Sequence, residues 1–130
     1  MKENSTIAAI ATALSPAGIS IIRISGPQAL DVIDRIYRTK KEVDSIKKGA
    51  FAAAASSSAK KLSNAPTHTI HYGYICDENE VIDEVMVSIM KGPRSFTAED
   101  TVEINCHGGV LVTRRVLDCV FKNGAAPAQP

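Results

Sequence analysis

The segment from Ser95 to Gly109, SFTAEDTVEINCHGG, holds most of the side chains that could do chemistry. If Thr101 to Cys106 is a β-strand, its period of two puts a polar set and an apolar set on opposite faces. The two sets are Thr101, Glu103 and Asn105, and Val102, Ile104 and Cys106. A carboxylate fixed on a strand, as Glu103 would be, accepts hydrogen bonds from two adjacent N–H donors, the pattern of amino-pyrimidine and pterin rings. Spacing alone still favours a solvent-facing glutamate on a half-exposed strand.

Arg23 is the second residue of interest, because it interrupts the apolar run ISIIRI. In a strand it lies on the face that carries Ile19 and Ile21. A guanidinium in that setting needs an acidic partner, either a ligand carboxylate or a structural acid. From the residues alone the structural pairing is favoured, because charges in apolar surroundings are usually paired.

His107-Gly108-Gly109 puts a titratable ring and two adaptable backbone amides at a predicted helix start. Helix N-termini attract anions, so a small anion or polar ligand could dock there. Two glycines before a helix are equally a plain structural junction.

The spacing of the cysteines and histidines does not favour a nucleophile or a metal site. Cys106 beside His107 suggests a thiolate nucleophile, but neighbours on a strand point to opposite faces. Cys76, Cys106 and Cys119 are odd in number and lack CxxC spacing, which predicts reduced thiols without a disulfide or zinc site. His68 and His71 would point to opposite faces of a strand, which argues against a metal site.

Composition excludes several classes of function. The chain has 130 residues, 45% of them hydrophobic and 22% charged, values typical of one globular domain. A net charge of +1, no Trp and 5% aromatic residues give neither the field nor the stacking surface for nucleic acid. No GxxxxGK[ST], HExxH or GxSxG motif is present, so the chain does not encode nucleotide hydrolysis. The interrupted apolar stretch at the N-terminus predicts neither a signal peptide nor a membrane span, and hence a cytoplasmic protein.

Periodicity predicts an α+β domain with a mixed, largely antiparallel sheet covered by helices, in the order β-β-α-(loop)-β-β-β-α. The predicted strands are Thr6–Thr12, Ile19–Ser25, Thr69–Cys76, Val81–Met90 and Thr101–Cys106. One helix starts at Ser25-Gly26-Pro27 and ends near Arg38; the other opens at Gly108-Gly109 and is closed by Lys122-Asn123-Gly124. Residues 40–66 predict a flexible insertion, with a helical turn at Ala50–Ala55 as the alternative. A single domain therefore spans residues 1–124, and residues 125–130 have a linker composition.

With these elements placed, the chain closely resembles the amino-terminal domain of the MnmE (TrmE) family of tRNA-modifying GTPases. Three segments carry the resemblance: TIAAIAT at 6–12 followed by GISIIRISG at 18–26, GPRSFTAED at 92–100, and VEINCHGG at 102–109. Their order and spacing cover most of the chain outside residues 40–66. The resemblance implies a fold similar to that of aminomethyltransferase folate-binding domains.

The resemblance also implies a function. Domains of this family bind a tetrahydrofolate such as 5-formyltetrahydrofolate and form a homodimer, and Arg23 and Glu103 match positions of the family's folate site. The family acts with an MnmG-type flavoprotein on the wobble uridine of certain tRNAs, with tRNA bound through the full complex rather than this domain alone. GTP, Mg and K belong to a GTPase domain outside this chain. The resemblance also places outside this chain a folate-contacting lysine that follows a PGEF motif, another lysine from the carboxy-terminal part of the family, and a redox-active cysteine near the family's carboxyl terminus.

Two other functions stay open from the sequence. One is a stand-alone folate-dependent one-carbon transferase that uses Cys106 or His107; the other is a purely structural dimerisation module. The leading expectation is a binding domain that is not catalytic by itself, within a family whose full-length members hydrolyse GTP.

Overall fold

The computed structural model describes residues 5–12, 19–47, 61–93 and 99–128. These segments contain, in chain order, β1 (Ile7–Ile10), β2 (Ser20–Ser25), α1 (Ala29–Ile36), β3 (Tyr37–Arg38), α2 (Lys40–Lys47), a 3-10 turn (Leu62–Asn64), β4 (Thr69–Asp77), β5 (Glu80–Met90), β6 (Thr101–Cys106), α3 (Gly109–Lys122) and β7 (Ala126–Pro127). The predicted α+β class is confirmed.

The seven strands form one mixed sheet in the order β3-β4-β5-β6-β2-β1-β7. Every pair in it is antiparallel except β1 with β7, which is parallel. β2 lies beside β6 although most of the chain separates them in sequence. This neighbourhood brings the two segments with the most suggestive chemistry together.

The hydrophobic core lies between one face of the sheet and the helices α1 and α3. Alternate residues of β2, β5 and β6 turn fully buried Ile and Val side chains to this face: Ile22, Ile24, Val85, Val87, Ile89, Val102 and Ile104. Val32, Ile33 and Ile36 of α1 and Val116 and Val120 of α3 meet them. Full burial of each such side chain stabilises the folded state by about 1.5–3 kcal/mol relative to leaving it exposed. The apolar periods that predicted these elements therefore mark the core.

The first helix is shorter than the sequence predicts. It ends at Ile36, because Tyr37 and Arg38 are extended and pair with Ile75 and Tyr74 of β4. The guanidinium of Arg38 donates from Nη1 to the Asp34 carbonyl at 3.2 Å. It thus satisfies a carbonyl that the end of the helix leaves without an intrahelical donor.

The prediction of a flexible insertion over residues 40–66 is wrong at its start, where Lys40–Lys47 forms α2. The sequence TKKE at 39–42 begins this helix with a capping box. The Thr39 amide donates to Glu42 Oε1 at 2.9 Å, and the Glu42 amide donates to Thr39 Oγ1 at 3.2 Å. Val43 is buried, which anchors the helix against the domain. The middle of the segment, including Ala50–Ala55, lies outside the described residues.

The predicted linker at 125–130 also contains structure. Ala126 and Pro127 form β7 and lie opposite Ile7 and Ala8 of β1. The Ala126 amide donates to the Thr6 carbonyl at 2.9 Å, so this strand extends the sheet at its edge. In the described ranges, no helix is long and apolar enough to span a membrane.

The sheet surface opposite α1 and α3 is here called the open face. It carries Ala9, Ile21, Arg23, Ile70, Tyr72, Met86, Ser88, Glu103 and Asn105, which alternate with the core residues. All nine are at least partly exposed. The open face is therefore where the side chains singled out by the sequence meet solvent.

Candidate ligand-binding site on the open face

Arg23 and Glu103 lie directly opposite each other in the β2–β6 ladder. The Arg23 side chain is 42% exposed and the Glu103 side chain 17%. On the outer sides of the pair, Ala9 lies opposite Arg23 on β1 and Ser88 lies opposite Glu103 on β5. Both outer neighbours have short side chains, and Arg23 is the more exposed member of the pair.

Arg23 approaches Glu103 in an asymmetric way. Its Nε and Nη2 donate to the same oxygen, Oε2, each at 2.7 Å. Such charge-assisted contacts are short and fix the orientation of the carboxylate. Oε1 of Glu103 makes no hydrogen bond to another described residue, so it keeps acceptor capacity toward the open face. The structural acid expected for Arg23 is thus the same residue that was expected to bind a ligand.

An apolar patch on the open face borders this pair. It consists of Ile70 and Tyr72 of β4 and Met86 of β5, and the first two are 68% and 60% exposed. Ile70 lies opposite Ser88, and Tyr72 lies opposite Met86. Tyr72 packs edge-on against Tyr74, with ring centroids 6.5 Å apart. Large exposed apolar side chains that cluster in this way commonly mark contact surfaces.

The amides at the start of α3 are occupied from within the chain. Asp83 Oδ2 accepts from the His107 amide at 2.8 Å and from the Gly108 amide at 3.2 Å. Asp83 Oδ1 also accepts from the Glu84 amide at 2.9 Å. A buried carboxylate thus holds the place that an external anion would take at this turn. Gly108 and Gly109 therefore form a structural junction between β6 and α3 rather than an anion-binding site.

Sequence reasoning missed Asp83, although a signal was present. In the strand VIDEVMVSIM, Asp83 has the same parity as Val81, Val85 and Val87, which places it on the apolar face. An acid in that register requires several donors, because an unpaired buried charge is strongly unfavourable. The donors come from the start of α3, which no local pattern in β5 identifies.

Cys106 is unsuited to nucleophilic chemistry. Its side chain is buried, and burial raises the pKa of its thiol to about 12. The negative charge of Asp83 adds to this rise, and a hydrogen bond with Thr113 opposes it. Burial likewise raises the pKa of the Cys76 and Cys119 thiols to about 11. The three thiols are free and stay protonated near neutral pH.

We expect none of the three thiols to react with a disulfide reagent such as DTNB at pH 8 within minutes while the chain is folded. The thiolate is the reactive form, and the raised pKa values keep its population very small. Unfolding in guanidinium chloride should release all three thiols. Rapid labelling of Cys106 alone in the folded chain would contradict this picture and revive the nucleophile hypothesis.

The histidines serve local structure. His107 Nδ1 donates to the Glu84 carbonyl at 3.0 Å, so its ring turns toward β5 while Cys106 points into the core. His68 precedes β4 with a φ of 62°, and His71 Nε2 lies 2.8 Å from Thr69 Oγ1. Among the described residues, no group of His, Cys, Asp and Glu could hold a metal ion.

A cavity of about 220 Å³ lies between α3 and the β4–β5 hairpin, away from the open face. Its cations are engaged: Arg115 pairs with Glu80 at 2.8 Å and Lys122 pairs with Asp77 at 3.0 Å. These pairs hold the hairpin against the helix. The Arg23–Glu103 pair remains the better candidate, because an oxygen of Glu103 is available to a ligand.

Comparison with known proteins identifies the family of this chain. The family described as "GTP-binding protein TrmE N-terminus" matches residues 6–130. The chain belongs to the TrmE N-terminal family. It is 57% identical over 125 residues to the tRNA modification GTPase MnmE of Lachnoclostridium phytofermentans, covering 96% of this chain and 24% of that protein. It is 46% identical to the MnmE proteins of Geobacillus kaustophilus, over 100% of this chain and 25% of the relative, and of Listeria welshimeri, over 98% and 24%.

The TrmE N-terminal match confirms the resemblance derived from the three sequence segments. The chain spans about a quarter of the length of these curated relatives. Within the TrmE N-terminal domain, the structure brings together Arg23 and Glu103, from segments 80 positions apart. It does not bring Cys106 and His107 together as a reactive pair.

Proposed function

We propose that this chain is the tetrahydrofolate-binding and dimerisation domain of a tRNA modification GTPase. Membership of the TrmE N-terminal family and the names of its relatives support the GTPase context. In that context the whole protein acts with an MnmG-type flavoprotein on the wobble uridine of tRNAs in the cytoplasm. The observation that carries the folate site is the asymmetric Arg23–Glu103 contact, which leaves Glu103 Oε1 facing the open face.

The proposed ligand contact uses Glu103 as an acceptor and Arg23 as its positioning partner. Reduced pterins carry a 2-amino group beside a ring N–H, and one carboxylate oxygen with two lone pairs can accept from both donors. Arg23 holds Oε2, which limits rotation of the carboxylate and aims Oε1 at the ligand. The chain therefore binds the ring without providing a nucleophile of its own.

The proposed dimer uses the apolar patch of Ile70, Tyr72 and Met86. These side chains lie on a sheet surface, and a second copy that covers them would remove large apolar areas from water. The patch adjoins Ser88, which neighbours Glu103. The second copy would consequently approach the edge of the ligand site.

Glu103→Ala is expected to weaken binding of 5-formyltetrahydrofolate by between about tenfold and a hundredfold, because a hydrogen bond to a charged group contributes about 1.5–3 kcal/mol. Isothermal titration of the chain measures the dissociation constant directly. The dissociation constant of Glu103→Gln should fall between those of wild type and Glu103→Ala, since the amide oxygen of glutamine still accepts a hydrogen bond but carries no charge. Glu84→Ala is the matched control, because Glu84 is an exposed glutamate of β5 away from the pair.

Two results would contradict the folate proposal. One is the lack of any 5-formyltetrahydrofolate binding by the folded wild-type chain at high micromolar ligand. The other is an equal dissociation constant for wild type, Glu103→Ala and Glu84→Ala, which would put the ligand elsewhere.

Tyr72→Glu is expected to convert a dimer of this chain into a monomer, since it places a charge in the centre of the proposed contact. Sedimentation equilibrium over a range of concentrations gives the dimer dissociation constant, which should rise at least about a hundredfold, or ~2.7 kcal/mol. Leu111→Glu is the control, because Leu111 is 78% exposed on α3 and lies outside the apolar patch. A concentration-independent wild-type monomer, or equal weakening by Leu111→Glu, would refute the patch as the dimer contact.

A further inference from the structure

Asn105 occupies an unusual place on the open face. It lies two residues beyond Glu103 on β6, so both side chains project from the same side of the sheet, with Cα atoms about 7 Å apart. Its neighbours across the ladders are apolar, Ile21 on β2 and Met86 on β5. Asn105 is half-buried, and its side-chain amide makes no hydrogen bond to the described part of the chain. A polar group in an apolar row is thus left with capacity for a ligand.

The order of groups along β6 has a chemical consequence. Glu103 offers an acceptor in Oε1, and Asn105 offers N–H donors from its side-chain amide. A 2-amino-4-oxopyrimidine ring presents, along one edge, the 2-amino N–H, the ring N3–H and the 4-oxo oxygen. This is a donor-donor-acceptor edge, and it complements a carboxylate followed by an amide. The separation of the two side chains accommodates the three groups of that edge.

We propose that Asn105 is a specificity-determining residue, whose amide donates to the 4-oxo oxygen of a 2-amino-4-oxopyrimidine ring held by Glu103. The inference rests on the proposed folate function and deepens it by naming the ring edge that is recognised. The site then selects 4-oxo rings over 4-amino rings. The same edge occurs in pterins and in guanine, so the experiment includes both sources.

The preference for 4-oxo over 4-amino rings should be strong, because the Asn105 amide is partly shielded from solvent. Asn105 is half-buried, and its cross-strand neighbours Ile21 and Met86 offer it no polar side chain. A site built to donate a hydrogen bond discriminates against a ligand that cannot accept it, because the polar group of the protein is then left without a partner. Arg23 contributes by holding Glu103 in place.

The test compares two ligands that share one tail: 5-formyltetrahydrofolate and its 4-amino-4-deoxy counterpart. Dissociation constants are measured by titration for wild type, Asn105→Asp and Asn105→Ala. The ring change also removes the N3–H donor to Glu103, so wild-type preference alone does not report on Asn105. The informative quantity is the change in the preference ratio between wild type and the variants.

Asn105→Asp should shift the 4-oxo to 4-amino preference by at least about tenfold toward the 4-amino ring, because a carboxylate accepts from an amino group and repels a carbonyl oxygen. Asn105→Ala should reduce the preference without reversing it. Asn79→Asp makes the same chemical change in the exposed β4–β5 turn and should leave the ratio unaltered.

The outcomes separate this inference from the function on which it rests. If wild type binds 5-formyltetrahydrofolate and Asn105→Asp leaves the preference ratio within about twofold, the role of Asn105 is refuted while the folate proposal stands. If wild type binds no folate, the folate proposal itself fails and the inference with it. Guanosine as a competitor identifies the source: displacement that is lost in Asn105→Asp supports recognition of the shared edge, whereas unchanged displacement by guanosine in that variant contradicts it.

Discussion

Gly26→Ala is expected to lower the free energy of unfolding by about 4 kcal/mol, combining backbone strain with a steric clash. Gly26 has a φ of +137°, and a Cβ there would lie 2.6 Å from Thr6 Cα and 2.9 Å from the Ser5 carbonyl oxygen. Thr6 cannot easily retreat, because its hydroxyl accepts from the Gln28 amide at 2.8 Å and its carbonyl accepts from the Ala126 amide. Chemical unfolding followed by circular dichroism measures the loss.

Gly109→Ala separates the two causes of this loss. Gly109 also has a positive φ, +89°, but a Cβ there would meet nothing within 4 Å. Its replacement should therefore cost only the backbone strain, about 1–2 kcal/mol. Equal losses for the two variants would show that contact with the segment before β1 contributes nothing at Gly26.

Asp83→Ala is expected to lower the free energy of unfolding by about 3 kcal/mol, because it leaves one backbone donor in β5 and two just before α3 without their charged acceptor. The affected amides are those of Glu84, His107 and Gly108. Amide hydrogen exchange at His107 and Gly108 should accelerate more than in the centre of α3. Differential scanning calorimetry and residue-resolved exchange together provide the measurement.

Asp83→Asn should lose less than Asp83→Ala, since its amide oxygen still accepts, although without charge. Asp118→Ala is the control for loss of an acid near α3, because Asp118 is exposed on the helix and should change stability by less than about 0.5 kcal/mol. Unaltered exchange at His107 in Asp83→Ala would contradict the assigned role. A gain in phosphate binding by that variant would instead agree with an internal carboxylate occupying an anion site.

Much of the sheet and two helices were predictable because their signals are local. Alternation in β2, β5 and β6 and the helical spacing of Val32, Ile33 and Ile36 arise from the same burial that forms the core. The two faces of β6 were predicted for the same reason. Element ends were less predictable: α1 stops at Ile36 because Tyr37 gains a partner in β4, and that competition is tertiary.

The start of the predicted flexible insertion contains a local sequence signal for a helix. Thr39 and Glu42 have the spacing of a capping box, which identifies the start of α2. Its apolar face is narrow, with Val43 as its buried residue, so hydrophobic periodicity alone could not reveal the helix. At the other end of the chain, β7 has a linker-like composition because its strand conformation depends on pairing with β1 rather than on its own side chains.

At the candidate site, the sequence by itself determined that Glu103 and Asn105 share one face of β6 and that Arg23 interrupts an apolar strand. Those are consequences of local geometry, which repeats every two residues. Only the tertiary structure decided that β2 lies beside β6 in the register that places Arg23 opposite Glu103. It likewise decided that Asp83, from β5, binds the turn before α3. Strand order and register depend on how the whole sheet packs against its helices, so no segment read alone contains them.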